Sequence, residues 1–237
     1  MAPITAIIDK TSANDSVIKL FYATGKAQLG LALWSGTKDA DPEDPIQTPQ
    51  EVGNGQYILN PSQMASINSQ GIERVFALTT DNPFKVTRDD FYNISEISES
   101  KQKRLVEVLI GNTTLASCGN GDSAWVYYSR ASAHSFEAGT AIASTGDMQR
   151  NTPVAVAFDN GKVFLYYCGR GAAGGIRRTI RTNNTWGSSE LIDSRTISQD
   201  SQLTVVRANG INHLFFVARD QNEEKDDYFV HYPDEIS

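Results

Sequence analysis

The chain has 237 residues with 28 acidic against 21 basic side chains, a formal net charge of −7. Affinity for nucleic acid rests on clustered Lys and Arg, so this balance argues against a phosphate-backbone partner. No stretch has the apolar length of a membrane span, and the amino terminus lacks a charged region followed by a hydrophobic run; a cytoplasmic or mature secreted protein is expected.

Taken in chain order, the elements recur. The first apolar run begins at Ile4 and leads, past an insertion at Ser12 to Ser16, into Ile18-Lys19-Leu20-Phe21-Tyr22. A third strand is expected over Gln28 to Trp34 and a fourth near Ile46 to Val52. The proline-rich, acidic stretch Asp39 to Pro49 is incompatible with a central strand and reads as a surface loop. The second copy starts at Met64, turns at Ser69-Gln70-Gly71 and continues as Glu73-Arg74-Val75-Phe76-Ala77. Its third and fourth strands are expected at Phe84 to Asp89 and Ile94 to Ile97. Leu105 to Ile110 suits a strand at least as well as a short helix, because it alternates and is β-branched.

The third copy runs from Leu115 through Asn120-Gly121 to Ala124-Trp125-Val126-Tyr127-Tyr128, with further strands expected at Ser135 to Gly139 and Thr140 to Ser144. The fourth runs from Val154 through Asn160-Gly161 to Val163-Phe164-Leu165-Tyr166-Tyr167, then Ile176 to Arg181 and Ser189 to Asp193. The fifth runs from Leu203 through Asn209-Gly210 to Asn212-His213-Leu214-Phe215-Phe216, and ends after a third strand at Tyr228 to Tyr232. Asn-Gly pairs tolerate the positive φ of primed hairpin turns, so each joins two antiparallel strands.

In the last four copies the spacing from strand start to Phe76, Tyr127, Tyr166 or Phe215 is the same. Self-similarity at this spacing marks a repeat architecture, and antiparallel units of this size protect their edges by radial stacking. The expected fold is all-β: a single β-propeller domain over residues 1–237, five-bladed, with three to four antiparallel strands per blade.

Other signals carry less chemistry. Cys118 and Cys168 lack metal-ligand spacing and read as buried free thiols, although a bridge between neighbouring repeats is compatible with their placement. His134, His213 and His231 have no close partners in sequence, and the acidic pairs Asp89-Asp90 and Asp226-Asp227 lack the spacing of a calcium loop, so neither metal nor cofactor is expected. Arg170, Arg177, Arg178 and Arg181 read as a solvated strand face. The sequons at Asn14, Asn93, Asn112 and Asn183 matter only on the secretory route. There is no Gly-x-Ser-x-Gly, and no catalytic residue is assigned.

The fourth copy, from Val154 to Tyr167, then Ile176, then Asn183-Asn184-Thr185-Trp186-Gly187 before Leu191, resembles the repeat of the fungal fucose-specific lectins. The resemblance implies a six-bladed propeller in which a sugar sits between adjacent blades. It is contacted there by an Arg near the start of the second strand, a Glu on the third strand, and a Trp or Tyr wall. By position, the Arg falls on Lys19, Arg74, Trp125, Phe164 and His213; the Glu falls on Arg178 in the best-matching copy and on Glu137 elsewhere; the Trp is kept as Trp186.

Charged groups holding hydroxyls while an aromatic face covers a sugar's C–H patch is sound recognition chemistry. The ligand-binding candidates are Arg74, Trp186, Glu137, Lys19, His213 and Trp34, with Trp125 expected to pack between blades. The expected function is a non-catalytic, lectin-like carbohydrate-binding propeller whose ligand is fucose or a related sugar, and a homo-oligomer is compatible with it. Two alternatives stand beside it: an enzyme cyclising or isomerising a small molecule at the channel mouth, and a protein-interaction ring using its acidic loops.

Overall fold

The computed structural model describes residues 3–9, 17–35, 47–53, 57–59, 62–80, 91–97, 102–109, 114–130, 135–137, 142–149, 152–171, 174–198, 201–208, 210–219 and 227–236. These residues form five antiparallel sheets in chain order. The first holds β1 (Ile4–Ile8), β2 (Val17–Ala23), β3 (Leu29–Ser35) and β4 (Gln47–Glu51), and the second β5 (Met64–Ser69), β6 (Ile72–Thr79), β7 (Phe91–Ile97) and β8 (Gln102–Leu109). The third holds β9 (Leu115–Gly119), β10 (Ala124–Arg130) and β11 (Ser135–Glu137). The fourth holds β12 (Val154–Asp159), β13 (Lys162–Gly169), β14 (Gly175–Thr182), β15 (Thr185–Trp186) and β16 (Glu190–Asp193), and the fifth β17 (Thr204–Ala208), β18 (Ile211–Ala218) and β19 (Tyr228–Asp234).

This is the all-β propeller architecture expected from the repeats, with a correction to the blade count. Four sheets hold at least three strands of five residues or more, whereas the outer strand of the third has three residues. The five blades are therefore four full ones and a reduced sheet. Where a fourth strand was expected at Thr140 to Ser144, Ala143–Thr145 form a 3-10 turn. The Thr145 hydroxyl donates to the Ile142 carbonyl at 2.7 Å, a local bond that competes with a ladder.

The second copy is also re-registered. Phe84 to Asp89 lie outside the described residues, the run expected as a fourth strand belongs to the third strand β7, and the fourth is β8. Two turns are as read: Asn160 and Gly161 have φ of 47° and 78°, and Gln70 and Gly71 have 56° and 70°, the left-handed pairs a two-residue primed turn requires. At Asn120-Gly121 only Gly121 is left-handed, at 87°, in a longer loop, and Asn209 lies outside the described residues. The insertion at Ser12 to Ser16 lies outside the described residues, as does Asp39 to Ile46 of the expected loop. Pro49 sits in β4, which pairs only with β3 and so tolerates a missing N–H.

The chain divides into two compact units, 1–115 with 121–124, and 116–120 with 125–237. In the first, β1 lies against β5, and Phe21, Leu29, Met64, Val75, Ala77 and Ile97 are buried together. In the second, the fourth sheet is covered on both faces. One face carries Val154, Val163, Leu165 and Tyr167 against Ala116, Cys118 and Tyr127 of the third sheet. The other carries Phe164, Tyr166, Cys168 and Ile176 against Leu214, Phe216, Ala218 and Val230 of the fifth. Burying such side chains contributes about 1.5–3 kcal/mol each, so these two interfaces dominate the stability of the unit. No helix among the described residues is long and apolar enough to cross a membrane.

Candidate functional site

The repeat position shared by Lys19, Arg74, Trp125, Phe164 and His213 gains its meaning from this stacking. In β10, Trp125 and Tyr127 alternate onto the face that meets the fourth sheet, and in β13, Phe164 alternates onto the face that meets the fifth. The same position is therefore repeatedly presented to the following sheet, and its chemistry differs each time.

Between the third and fourth sheets lies an open cleft of about 170 Å³, lined by Asn120, Trp125, Phe158, Gly161, Val163, Arg181, Asn183 and Asn184. Trp125 stacks on Phe158 with ring centroids 5.6 Å apart and planes at 29°. The Arg181 guanidinium carbon lies 5.8 Å from the centre of the Trp125 ring, within cation–π range. Three hairpin turns frame the rim: Asn120 follows β9, Gly161 joins β12 to β13, and Asn183-Asn184 join β14 to β15 with φ of 50° and 65°. That left-handed pair is a conformation asparagine tolerates better than most residues. The Asn184 side-chain oxygen accepts from Arg181 at 2.6 Å, which fixes the guanidinium at the cleft edge. An apolar wall beside a guanidinium and amide groups is chemistry suited to a polyhydroxylated ring.

Trp186 lies opposite Arg181 in the ladder and meets Tyr127 edge-on at 5.8 Å, half-buried against the core. Trp186 therefore packs on the core and does not line the cleft. Burial pushes the Cys118 thiol up to about 12 despite the opposing charge of Arg181, and burial, with Cys118 adding to it, pushes the Tyr127 hydroxyl up to about 12.

At the next interface the equivalent positions carry an ion pair. Arg207 bonds Asp159 at 2.7 Å and lies 5.4 Å from the Phe164 ring centre. Beside it, Asp234 receives both Arg178, at 2.6 and 2.8 Å, and the Tyr166 hydroxyl, at 2.8 Å, while Asn212 donates to Tyr166 at 2.5 Å. Burial lowers the Arg178 pKa, and the bonds to Asp234 and Glu190 more than offset it, leaving the group raised. The expected solvated face of arginines is corrected here. Arg177 is bound to Asp147 and Ser189, Arg178 is locked to Asp234, Arg181 lines the cleft, and Arg170 alone is exposed.

In the first unit, Lys19 is held by Glu73 at 2.8 Å and Asp9 at 3.3 Å. Burial would lower its pKa, and these carboxylates reverse the effect. Arg74 bonds Glu96 at 2.6 Å, both half-buried. An Arg of the second strand and a Glu of the third therefore meet within one blade. Sequence reasoning missed Glu96 because it placed the third strand too early.

Trp34 pairs with Ile18 and Glu137 with Tyr128 through their backbones, but their side chains lie outside the described residues. His213 and His231, without close partners in sequence, are neighbours on adjacent strands, Nδ1 to Nε2 at 2.9 Å. The 5.1 Å between ring centroids is close to the most that such a contact permits, so the rings meet edge to edge and share an N–H···N bond. His134 lies outside the described residues. Among the described residues no three His, Cys, Asp or Glu groups converge on a metal position, and Cys118 and Cys168 are buried free thiols.

The stacked antiparallel sheets define a β-propeller fold. Solved structures with this fold include a variant of AofleA from Arthrobotrys oligospora, matching at a TM-score of 0.62 with 14% identity over 97% of this chain and 68% of that one. They also include the lectin of Aleuria aurantia, described as a six-bladed β-propeller with a novel fucose recognition mode, at 0.58 with 16% identity over 100% of this chain and 78% of that one. The SapL1 lectin in complex with α-methyl fucoside matches at 0.57 with 12% identity over 99% and 80%. At these identities the likeness is one of fold. No protein-family model and no curated protein matches the sequence.

Proposed function

We propose that the protein is a non-catalytic carbohydrate-binding propeller whose principal sugar site is the cleft between the third and fourth sheets. The observation that carries this reading is the convergence of the Trp125–Phe158 stack with Arg181, Asn183 and Asn184 in one open cleft. A sugar's apolar face covers the Trp125 edge of the wall, while the guanidinium and amides bind hydroxyls. Arg181 supplies several N–H donors in fixed geometry, which favours adjacent hydroxyls over a single one.

Fucose or a related deoxy sugar is the favoured ligand, because the solved structures of like fold include fucose-recognising lectins and a fucoside complex. The Arg74–Glu96 pair is a second sugar-binding position in the first unit, matching the Arg and Glu that the lectin resemblance implies. Each of these is weak alone, and they gain through avidity on a glycan-bearing surface. A glycan array with free fucose as competitor tests the reading. Selective signals competed by fucose support it, and a blank array at high protein density refutes it.

A further inference from the structure

The first and fifth sheets each leave an apolar face exposed at repeat positions that are buried elsewhere in the chain. In the first sheet, Thr5 and Ile7 turn toward the second sheet, where the Thr5 hydroxyl bonds that of Ser66 at 2.8 Å and Ile7 packs on the core. The opposite face of β1 carries Ile4, Ala6 and Ile8, with Ile4 and Ile8 43% and 47% exposed. The corresponding residues of the fourth copy, Val154, Val156 and Phe158, pack against the third sheet. The β1 face is thus the side that receives a preceding sheet.

In the fifth sheet, Leu214, Phe216 and Val230 face the fourth sheet. The other face carries Val206 at 54% and Phe229 at 68% exposure, with His213, Phe215 and His231 between them. Phe215 lies near-parallel to His231 with ring centroids 4.8 Å apart and to Phe229 at 6.1 Å, giving an aromatic cluster on this face. The fourth-copy equivalents of His213 and Phe215 are Phe164 and Tyr166, which are buried against a following sheet. Exposed apolar surface of this kind marks an interaction site.

We propose that these two faces dock on each other between copies of the chain, the Phe229 face of one molecule on the Ile8 face of the next, repeating the sheet-on-sheet interface already present within each molecule. The contact joins unlike surfaces, so it is heterologous and head-to-tail. Sedimentation velocity over a range of concentrations tests it. The wild-type chain is expected to show a mass at least twice the 26.0 kDa of one chain, rising with concentration. Phe229→Lys and Val206→Lys block one face and Ile8→Lys the other; each variant alone is expected to sediment as a monomer with an unchanged melting transition. An equal mixture of Phe229→Lys and Ile8→Lys is expected to form a capped dimer, since each keeps the face the other lacks. A wild-type monomer at every concentration, a Phe229→Lys variant of wild-type mass, or a mixture that stays monomeric would overturn the proposal.

Discussion

Arg181 and Trp125 come from neighbouring sheets, yet the guanidinium carbon of one lies 5.8 Å from the ring centre of the other. Their meeting turns a gap between blades into a cleft with an apolar wall and a cationic rim. At the next interface Arg207 takes the place of Phe158 and pairs with Asp159.

Trp125→Ala removes both the wall and the stack on Phe158. Glycan affinity is expected to fall at least about tenfold, while stability changes by about 0.5–1.5 kcal/mol beyond the lost burial. Arg181→Lys keeps the charge and loses the planar fork, so it should weaken binding nearly as much as Arg181→Ala. Calorimetric titration with α-methyl fucoside, alongside urea unfolding, separates the two effects.

Asp234 is buried and holds Arg178 and Tyr166. Asp234→Ala leaves Arg178 with only the exposed Glu190 and strips the Tyr166 hydroxyl of its acceptor, and is expected to cost about 3–5 kcal/mol. Adding Arg178→Met should recover much of that loss, because the buried charge is then gone. Urea midpoints of the two variants check this, and equal midpoints would refute it.

Burial raises the Cys118 thiol from 9.0 to about 12, the Cys168 thiol from 9.0 to about 11, and the Tyr127 hydroxyl from 10.0 to about 12. Above about pH 9 the unfolded chain has lost protons that the folded chain keeps, so the native state binds more protons and stability falls as pH rises. The urea midpoint should be lower at about pH 10 than at about pH 8, and Cys118→Ala with Cys168→Ala should flatten the decline. In the native protein at about pH 8, alkylation of both thiols should be far slower than in denaturant.

Asn183 opens an Asn-Asn-Thr sequon and lines the cleft with its side chain exposed. Protein made through a glycosylating secretory route should therefore carry a glycan there that blocks the site. Mass spectrometry should locate the modification, and Thr185→Ala should restore binding by preventing it. Full binding by protein glycosylated at Asn183 would contradict the placement of the cleft.

Much of the fold was legible because hairpin chemistry is local. Asn160-Gly161 declares its turn in two letters, and the paired aromatics mark each second strand. Leu203 and Tyr228 likewise bracketed a three-stranded last sheet. The site was less legible, because repeat alignment superposes equivalent residues and says nothing of which residues face one another across sheets. Trp125 was read as packing between blades, as it does against Phe158, whereas Arg181 was read as part of a solvated face and instead lines the cleft beside it. Glu96 was hidden by a third strand set too early, where Pro83 and the acidic Asp89-Asp90 left the register of the second copy without a clear turn signal. His213 and His231 meet only because β18 and β19 pair.

Sugar bound at Trp125 is detectable through nitrogen-15 chemical shifts recorded while α-methyl fucoside is titrated into the labelled protein. The indole N–H of Trp125, the side-chain amides of Asn183 and Asn184, and the Arg181 guanidinium should shift together and saturate at one dissociation constant. Saturation confined to Arg74 and its neighbours, or no shift at any concentration, would contradict it.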